Sequence, residues 1–213
     1  PAPLLERGPG SLFGEGVFSF PAAGSQMAIR ELGLRDWREP VWDCCAGAGG
    51  KTLALLDAGV PVTLASDPSP SRPRAMLAEC RRLKIAAPGL VRASALAPPL
   101  TVWRGNILAD VPCSGSGVLA RRPDLRLKKP DIAAFARLQL GILESCASLL
   151  QPGKELAYIT CSRNPAENEE LAARFLKKHP EMEQTRSWQT PVEHPWLEGM
   201  GGVVLRKKTR GSR

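Results

Sequence analysis

The chain has 213 residues, 43% of them hydrophobic and 23% charged, which is enough for one buried core and ordinary for a globular protein. Twenty-nine Lys and Arg against 21 Asp and Glu give a formal net charge of +8, so the surface is either a well-solvated basic one or a docking face for a polyanion, nucleic acid first. Apolar runs fall short of the roughly 18 residues a membrane span needs, no signal-peptide pattern opens the chain, and the default expectation is a cytoplasmic protein with no membrane partner. A start at Pro1 rather than Met reads as a processed chain or a piece cut from something longer. Six cysteines, at 44, 45, 80, 113, 146 and 161, do not form a disulfide framework, and their spacing does not match zinc-ligand pairs. Two histidines, His179 and His194, add little, so free thiols and no metal are expected. One Tyr and five Phe argue against an aromatic base-stacking sheet.

In chain order, the first 25 or so residues are rich in Gly, Pro and Ser and read as an irregular arm, followed by a short helix over 26–34. A strand over 40–45 runs into a glycine loop and a helix ending near Ala58. Strand 60–66 ends at Asp67; a helix over 69–83 and a weak strand over 90–92 follow. Strand 105–111 opens onto a polar loop. The stretch 131–150 is an amphipathic helix with Ile132, Phe135, Leu138, Ile142, Cys146 and Leu149 on one face, stopped by Gln151-Pro-Gly. Strand 155–160, a helix over 165–178 and a last strand over 203–206 complete the chain. Strands alternating with helices predict a parallel sheet covered on both faces. Ligands of such sheets bind outside the carboxyl ends of the strands.

The polar motifs all fall at those ends. Asp43-Cys-Cys-Ala-Gly-Ala-Gly-Gly-Lys51 joins a strand to a helix through glycines that let the backbone approach a ligand. It is not a phosphate-binding P-loop, because Cys45 stands where the first glycine is required. With Asp67 closing the next strand, it reads as a nucleoside-cofactor loop with an acid for ribose hydroxyls, or as a tight turn plus a capping Asp. Asp110-Val-Pro-Cys113-Ser-Gly-Ser-Gly117 sets a carboxylate three residues before a thiol. Thr160-Cys161-Ser162 is shorter, and Pro165 and Glu167 follow where a helix start wants them. Such surroundings raise a thiolate fraction, although a buried structural cysteine is open at either place. Two histidines in the polar C-terminal third give no support for a Ser-His-Asp triad.

Two long stretches carry a resemblance: 110–126, Asp-Val-Pro-Cys-Ser-Gly-Ser-Gly-Val-Leu-Ala-Arg-Arg-Pro-Asp-Leu-Arg, and 149–169, Leu-Leu-Gln-Pro-Gly-Lys-Glu-Leu-Ala-Tyr-Ile-Thr-Cys-Ser-Arg-Asn-Pro-Ala-Glu-Asn-Glu. With the glycine loop upstream, the chain resembles the RNA cytosine-5 methyltransferases of the RsmB/Nop/Sun type over roughly 13–175. The resemblance implies an α/β fold, doubly wound and mostly parallel, of the Rossmann-like S-adenosylmethionine-dependent class, with an arm and short helix over 1–36 and a catalytic domain over 37–213. It implies that Cys45, Ala46, Gly47, Ala48, Gly49, Gly50 and Lys51 form the S-adenosylmethionine loop. Asp67 would hold the ribose, Arg72 would support the loop, and Ser94 and Asp110 would complete the cofactor site. Cys161 would attack carbon 6 of cytosine, Asp110 would hold and protonate the base, and Cys113 would assist release. The reverse thiol assignment is the one used by DNA cytosine-5 methyltransferases. Arg121, Arg122 and Arg126 would hold RNA phosphates. The implied partner is ribosomal RNA ahead of transfer RNA, the alternative being a catalytically weak RNA-binding assembly factor.

The arm over 13–26 only loosely matches a family segment that lies beside the active site, and the chain departs from the family pattern in three further places. Gly47-Ala-Gly-Gly-Lys51 stands for the usual Ala-Pro-Gly-Gly-Lys, Ser94 stands where an Asp is usual, and Gly201-Gly-Val-Val-Leu-Arg-Lys-Lys208 replaces an aromatic-rich close. No RNA-binding domain is visible, so the basic clusters, a missing part or a partner would supply RNA contact.

Overall fold

The computed structural model describes residues 9–16, 22–191 and 197–209. Of the segments read from the sequence, parts of the arm (1–8 and 17–21), His194 and Arg210 lie outside these. Seven strands form one sheet: β1 (Val41–Asp43), β2 (Val62–Ser66), β3 (Gly89–Val91), β4 (Asn106–Asp110), β5 (Glu155–Thr160), β6 (Met182–Gln189) and β7 (Gly201–Lys207). Their order is β3-β2-β1-β4-β5-β7-β6. The first five are parallel, and β7 runs antiparallel to both β5 and β6. The helices are α1 (Pro9–Gly14), α2 (Ala23–Glu31), α3 (Gly50–Asp57), α4 (Arg72–Leu83), α5 (Ile132–Leu149) and α6 (Glu169–Lys178).

Alternation along the strands divides the core between the two faces. Ile107, Ala109, Leu156 and Tyr158 pack with Leu143 and Cys146 of α5 and Phe175 of α6. Leu108, Ala157 and Ile159 pack with Ile29 and Leu32 on the α2 side and Leu55 of α3. Strands buried on both faces read as unbroken apolar runs, which is why β4 and β5 stand out in the sequence. At the opposite end of the sheet Glu155 accepts from Trp37 Nε1 (2.7 Å), Arg186 (2.5 Å) and Arg206 (2.9 Å), tying the start of β5 to β6 and β7.

Several expectations need correction. The arm is not wholly irregular: α1 docks on the end of α4, with the Arg82 guanidinium 3.9 Å over the Phe13 ring. The helix placed at 26–34 begins at Ala23 and ends at Glu31, with a separate 3-10 turn at Leu34–Asp36. The helix expected over 165–178 is two pieces, a 3-10 turn at Pro165–Glu167 and then α6. Asn168 breaks it by turning its amide back to donate to Ser162 O (3.0 Å) and Asn164 O (2.9 Å). Strand β6 was not expected at all. It is an edge strand of mixed burial, and its sequence Met-Glu-Gln-Thr-Arg-Ser-Trp-Gln has no apolar alternation. Helix α5 is 18 residues long and, by length and composition alone, apolar enough to cross a membrane, a longer apolar stretch than the sequence reading allowed. Asp131 caps it by accepting from Ala134 N (2.9 Å). Its buried stripe includes Ala136, Gln139, Leu143 and Ala147, while Ile132, Phe135 and Leu138 are only half-buried.

Candidate active site

The strand order reverses between β1 and β4, which is where a crevice opens beyond the carboxyl ends of an open α/β sheet. A cavity of about 580 Å³ lies there, within the usual size of a small-molecule site. The glycine loop after β1 contributes Cys45, Ala46, Gly47, Ala48, Gly50 and Lys51. Asp67 and Arg72 come from the end of β2 and the start of α4, and Ser94 from the segment after β3. Asp110, Cys113 and Arg121 follow β4, and Cys161 follows β5. Residues from opposite ends of the chain, Ala22 and Ser25 on one hand and Glu198 and Met200 on the other, close the outer wall. The sequence signal for the arm side of that wall is only the loose match of 13–26 to a family segment beside the active site, and the loop side has no motif. Glu198 links the two by accepting from Gly24 N (2.7 Å) and Arg121 (2.7 Å).

The cavity suits an adenosine-bearing ligand at the glycine loop. Gly47 has φ +57°, and a Cβ there or at Gly50 would meet no protein atom within 4 Å, so the backbone at both positions faces open space. Asp67 is buried and accepts from Gly47 N (3.1 Å), Ser69 N (2.8 Å) and Arg72 (3.2 Å). A carboxylate has about four acceptor positions, so one is left for a ligand hydroxyl. Ser94 Oγ accepts from Leu96 N (3.2 Å) and keeps its own proton to donate. Gly49 does not line the cavity. Its φ of +97° starts α3, and a Cβ there would meet Met76 Cγ at 2.7 Å, so this glycine serves packing rather than a ligand. Lys51, read from the sequence as part of the cofactor loop, turns its ammonium to Asp110 Oδ2 (2.7 Å) and is nearly buried.

Beneath the loop, Asp43 accepts from Thr52 Oγ1 (2.6 Å) and Cys45 N (3.3 Å), pinning the loop to α3. Its carboxyl is pushed up to about 7, first by burial and further by Asp110, against the bonds from Thr52 and Cys45 and the charge of Lys51. In the unfolded chain it ionises near 3.8. Between these values the folded chain holds a proton that the unfolded chain has lost. Stability therefore falls as pH rises through that window and is level above it, the whole change being roughly 4 kcal/mol. In denaturant melts from pH 4 to pH 8, Asp43→Asn should gain on the wild type across the window; a difference constant with pH would refute the account.

The two thiols meet at the inner end of the cavity. Cys113 Sγ and Cys161 Sγ are 2.8 Å apart, and Cys161 N donates to Cys113 Sγ (3.2 Å). The hydrogen bond from Cys113 holds the Cys161 thiol below the usual range, with help from Lys51 and against burial and Asp110. The same contact, with burial, pushes Cys113 up. The contact thus favours ionisation at 161 and retention of the proton at 113. A stabilised thiolate beside a Lys–Asp pair can add to an electron-poor carbon and keep a ring-bound proton in place. The remaining cysteines are also free thiols. Among the described residues no group of three or more His, Cys, Asp or Glu is placed to hold a metal ion.

The three arginines separate. Arg121 is at the cavity rim, paired with Glu198 (2.7 Å). Arg122 is exposed and bound side-on to Asp124 (3.0 Å twice). Arg126 is exposed on the 3-10 turn Pro123–Leu127. Neither Arg122 nor Arg126 lines the cavity.

A family model described as 16S rRNA methyltransferase RsmB/F matches residues 32–201. Ribosomal RNA small subunit methyltransferase B of Vibrio cholerae is 35% identical over 176 residues, covering 79% of this chain and 40% of that protein. Among solved structures, NSun6 from Pyrococcus horikoshii with SFG is 26% identical with a TM-score of 0.79, covering 93% of this chain and 55% of that one. A methyltransferase homolog protein from Pyrococcus horikoshii is 26% identical with a TM-score of 0.76, covering 97% and 72%. The chain spans about 40% of the length of the first curated relatives it matches.

Proposed function

The chain belongs to the 16S rRNA methyltransferase RsmB/F family, and from that premise we propose that it is the catalytic domain, 37–213, of an RNA cytosine-5 methyltransferase acting on ribosomal RNA. The observation that carries the reading is the thiol pair, 2.8 Å apart, at the inner end of the cavity beside the Lys51–Asp110 ion pair. The family uses S-adenosylmethionine, and SFG in the archaeal neighbour is an analogue of it. At the glycine loop, Asp67 would hold its ribose and Ser94 its adenine, and it would supply a methyl group on a sulfonium.

The chain's own residues do the rest. Carbon 5 of cytosine is too weak a nucleophile to take a methyl group unaided. Cys161, whose ionisation Cys113 and Lys51 favour, would add as the thiolate to carbon 6 and drive electron density onto carbon 5. Asp110, oriented by Lys51 at 2.7 Å, holds the ring nitrogen and amino edge and stabilises the charge that develops there. After methylation the carbon 5 proton must leave before the bond to Cys161 Sγ can break. We assign assistance with that release to Cys113, 2.8 Å from Cys161 Sγ. The target base has to be turned out of any helix to reach the thiols. Exposed Arg126, Lys128 and Lys129 are the phosphate-contacting candidates on the loop after β4, whereas Arg121 and Arg122 would first have to leave Glu198 and Asp124.

Covalent trapping tests the reading. With S-adenosylmethionine and ribosomal RNA carrying 5-fluorocytosine, the protein should form an adduct that survives denaturation, since fluorine cannot leave as a proton does. Transfer RNA is run beside it. An adduct only with transfer RNA would move the substrate, and no adduct with either would remove the enzymatic reading in favour of an RNA-binding assembly role.

A further inference from the structure

Glu167 has no exposed surface, and nothing in its sequence position explains its partners. Its Oε1 accepts from Ser114 N (2.9 Å) and Gln139 Nε2 (2.9 Å). Its Oε2 accepts from Ser114 Oγ (2.5 Å) and Ser162 Oγ (2.6 Å). Ser114 directly follows Cys113 and Ser162 directly follows Cys161. One carboxylate therefore grips both thiol-bearing loops, each at the residue next to its sulfur.

The grip is anchored to the core. Gln139 of α5 also donates to Pro112 O (2.9 Å), and its Oε1 lies 3.1 Å from Tyr158 Oη, whose one proton goes to Glu167 O (2.6 Å). Its proton count is one-directional. Each serine hydroxyl has one proton, and those of Ser114 and Ser162 both go to Glu167. Ser116 Oγ, 3.1 Å from Ser162 Oγ, then donates to it, and itself accepts from Arg163 N (2.9 Å). The donors converge on a group that has only acceptors to offer. A glutamine could not replace it silently. Its amide nitrogen would have to face the two hydroxyls, because the Ser114 N–H and the Gln139 amide on the other edge cannot reverse.

We propose that Glu167 is a positioning residue for the thiol pair, setting the contact between Cys113 and Cys161 by clamping the loops after β4 and β5 from beneath. The proposal rests on the methyltransferase reading for its purpose, but its geometry can be tested without RNA. Three titratable groups act on Cys161: Cys113 from the loop after β4, Asp110 from the end of β4 and Lys51 from α3. Of these, only Cys113 is held through Glu167.

The test is the pH dependence of Cys161 alkylation by iodoacetamide, read by peptide mass spectrometry on protein without RNA or methyl donor. The wild type should react below the pH of an ordinary thiol. Glu167→Gln should raise the midpoint by about one pH unit, as Cys113→Ala should, and the double variant should show no further rise. A folded Glu167→Gln protein with the wild-type midpoint would overturn the proposal and leave Glu167 as a structural tie. If Glu167→Gln does not fold, Ser162→Ala decides in its place: it removes one donor, keeps the carboxylate, and should move the midpoint the same way by less. A wild-type midpoint there overturns the proposal equally. On RNA that traps the wild type, Glu167→Gln should slow adduct formation by roughly a hundredfold, the scale of an ångström misplacement, with the KM for S-adenosylmethionine unchanged. A failed trap in the wild type would count against the methyltransferase reading alone, since alkylation is read independently.

Discussion

Cys161→Ala should abolish methyl transfer, with the rate falling by about 10⁴-fold or more, because the step that makes carbon 5 nucleophilic has no other donor of electrons. Cys113→Ala should fail differently. The thiolate at 161 would still attack, although less of it would be present at neutral pH without its hydrogen-bond donor, and the adduct would form but not resolve. With RNA containing ordinary cytosine, a denaturing gel should show no stable complex for the wild type or for Cys161→Ala, and an accumulating complex for Cys113→Ala. The opposite pattern would exchange the roles of the two sulfurs and align the chain with the DNA enzymes. Neither substitution should change the melting temperature much. Both thiols are only partly buried, and the polar clamp on Glu167 uses the serines beside them rather than the sulfurs.

Asp110→Asn should lower the turnover rate by about a thousandfold, in the range typical for a positioned proton-transfer group, while adding a second effect of opposite sign. The aspartate charge opposes ionisation of both Asp43 and Cys161. Removing it leaves Lys51 unpaired and closer in effect to Cys161, so the thiol should alkylate at lower pH than in the wild type. Loss of turnover together with a more reactive Cys161 would show that Asp110 acts on the base and not by activating the nucleophile. Loss of turnover with a less reactive Cys161 would show the reverse.

The convergence of Cys113 and Cys161 was readable because each ends a strand buried on both faces, and such strands announce themselves as apolar runs cut off by Pro, Gly and Ser. Asp67 was readable for the same reason, while Arg72 came only through the family resemblance; the two do meet at 3.2 Å. What escaped was the chemistry of contacts that have no period. Gln139 interrupts the apolar face of α5, so a helical repeat passes over it, yet it is fully buried as part of the Glu167 clamp. Glu167 itself sits where a helix start would place an acid, and the break at Asn168 that turns it inward depends on bonds to Ser162 and Asn164. Gly49 looked like its neighbours in the loop, and only the position of Met76 separates a packing glycine from a ligand-facing one. Strand β6 is held by the backbone of β7 and by side chains with no period, Met182 in the core and Arg186 on Glu155, which a search for alternation passes over.

That last point bears on how the molecule comes to be assembled. In the sheet, β6 borders β7 and no other strand, and β7 follows it in the chain. As the polypeptide emerges, β6 therefore has no partner to pair with until β7 is available to enter between it and β5. The topology therefore favours adding the two strands as a unit, with the wall residues Glu198 and Met200, which lie just before β7, carried along. Shortening the chain ahead of Gly201 would cost two strands rather than one and would leave the edge of β5 bare. Such an unpaired edge is prone to join another molecule, so truncated forms should be recovered as aggregates while forms ending past Lys207 stay dispersed.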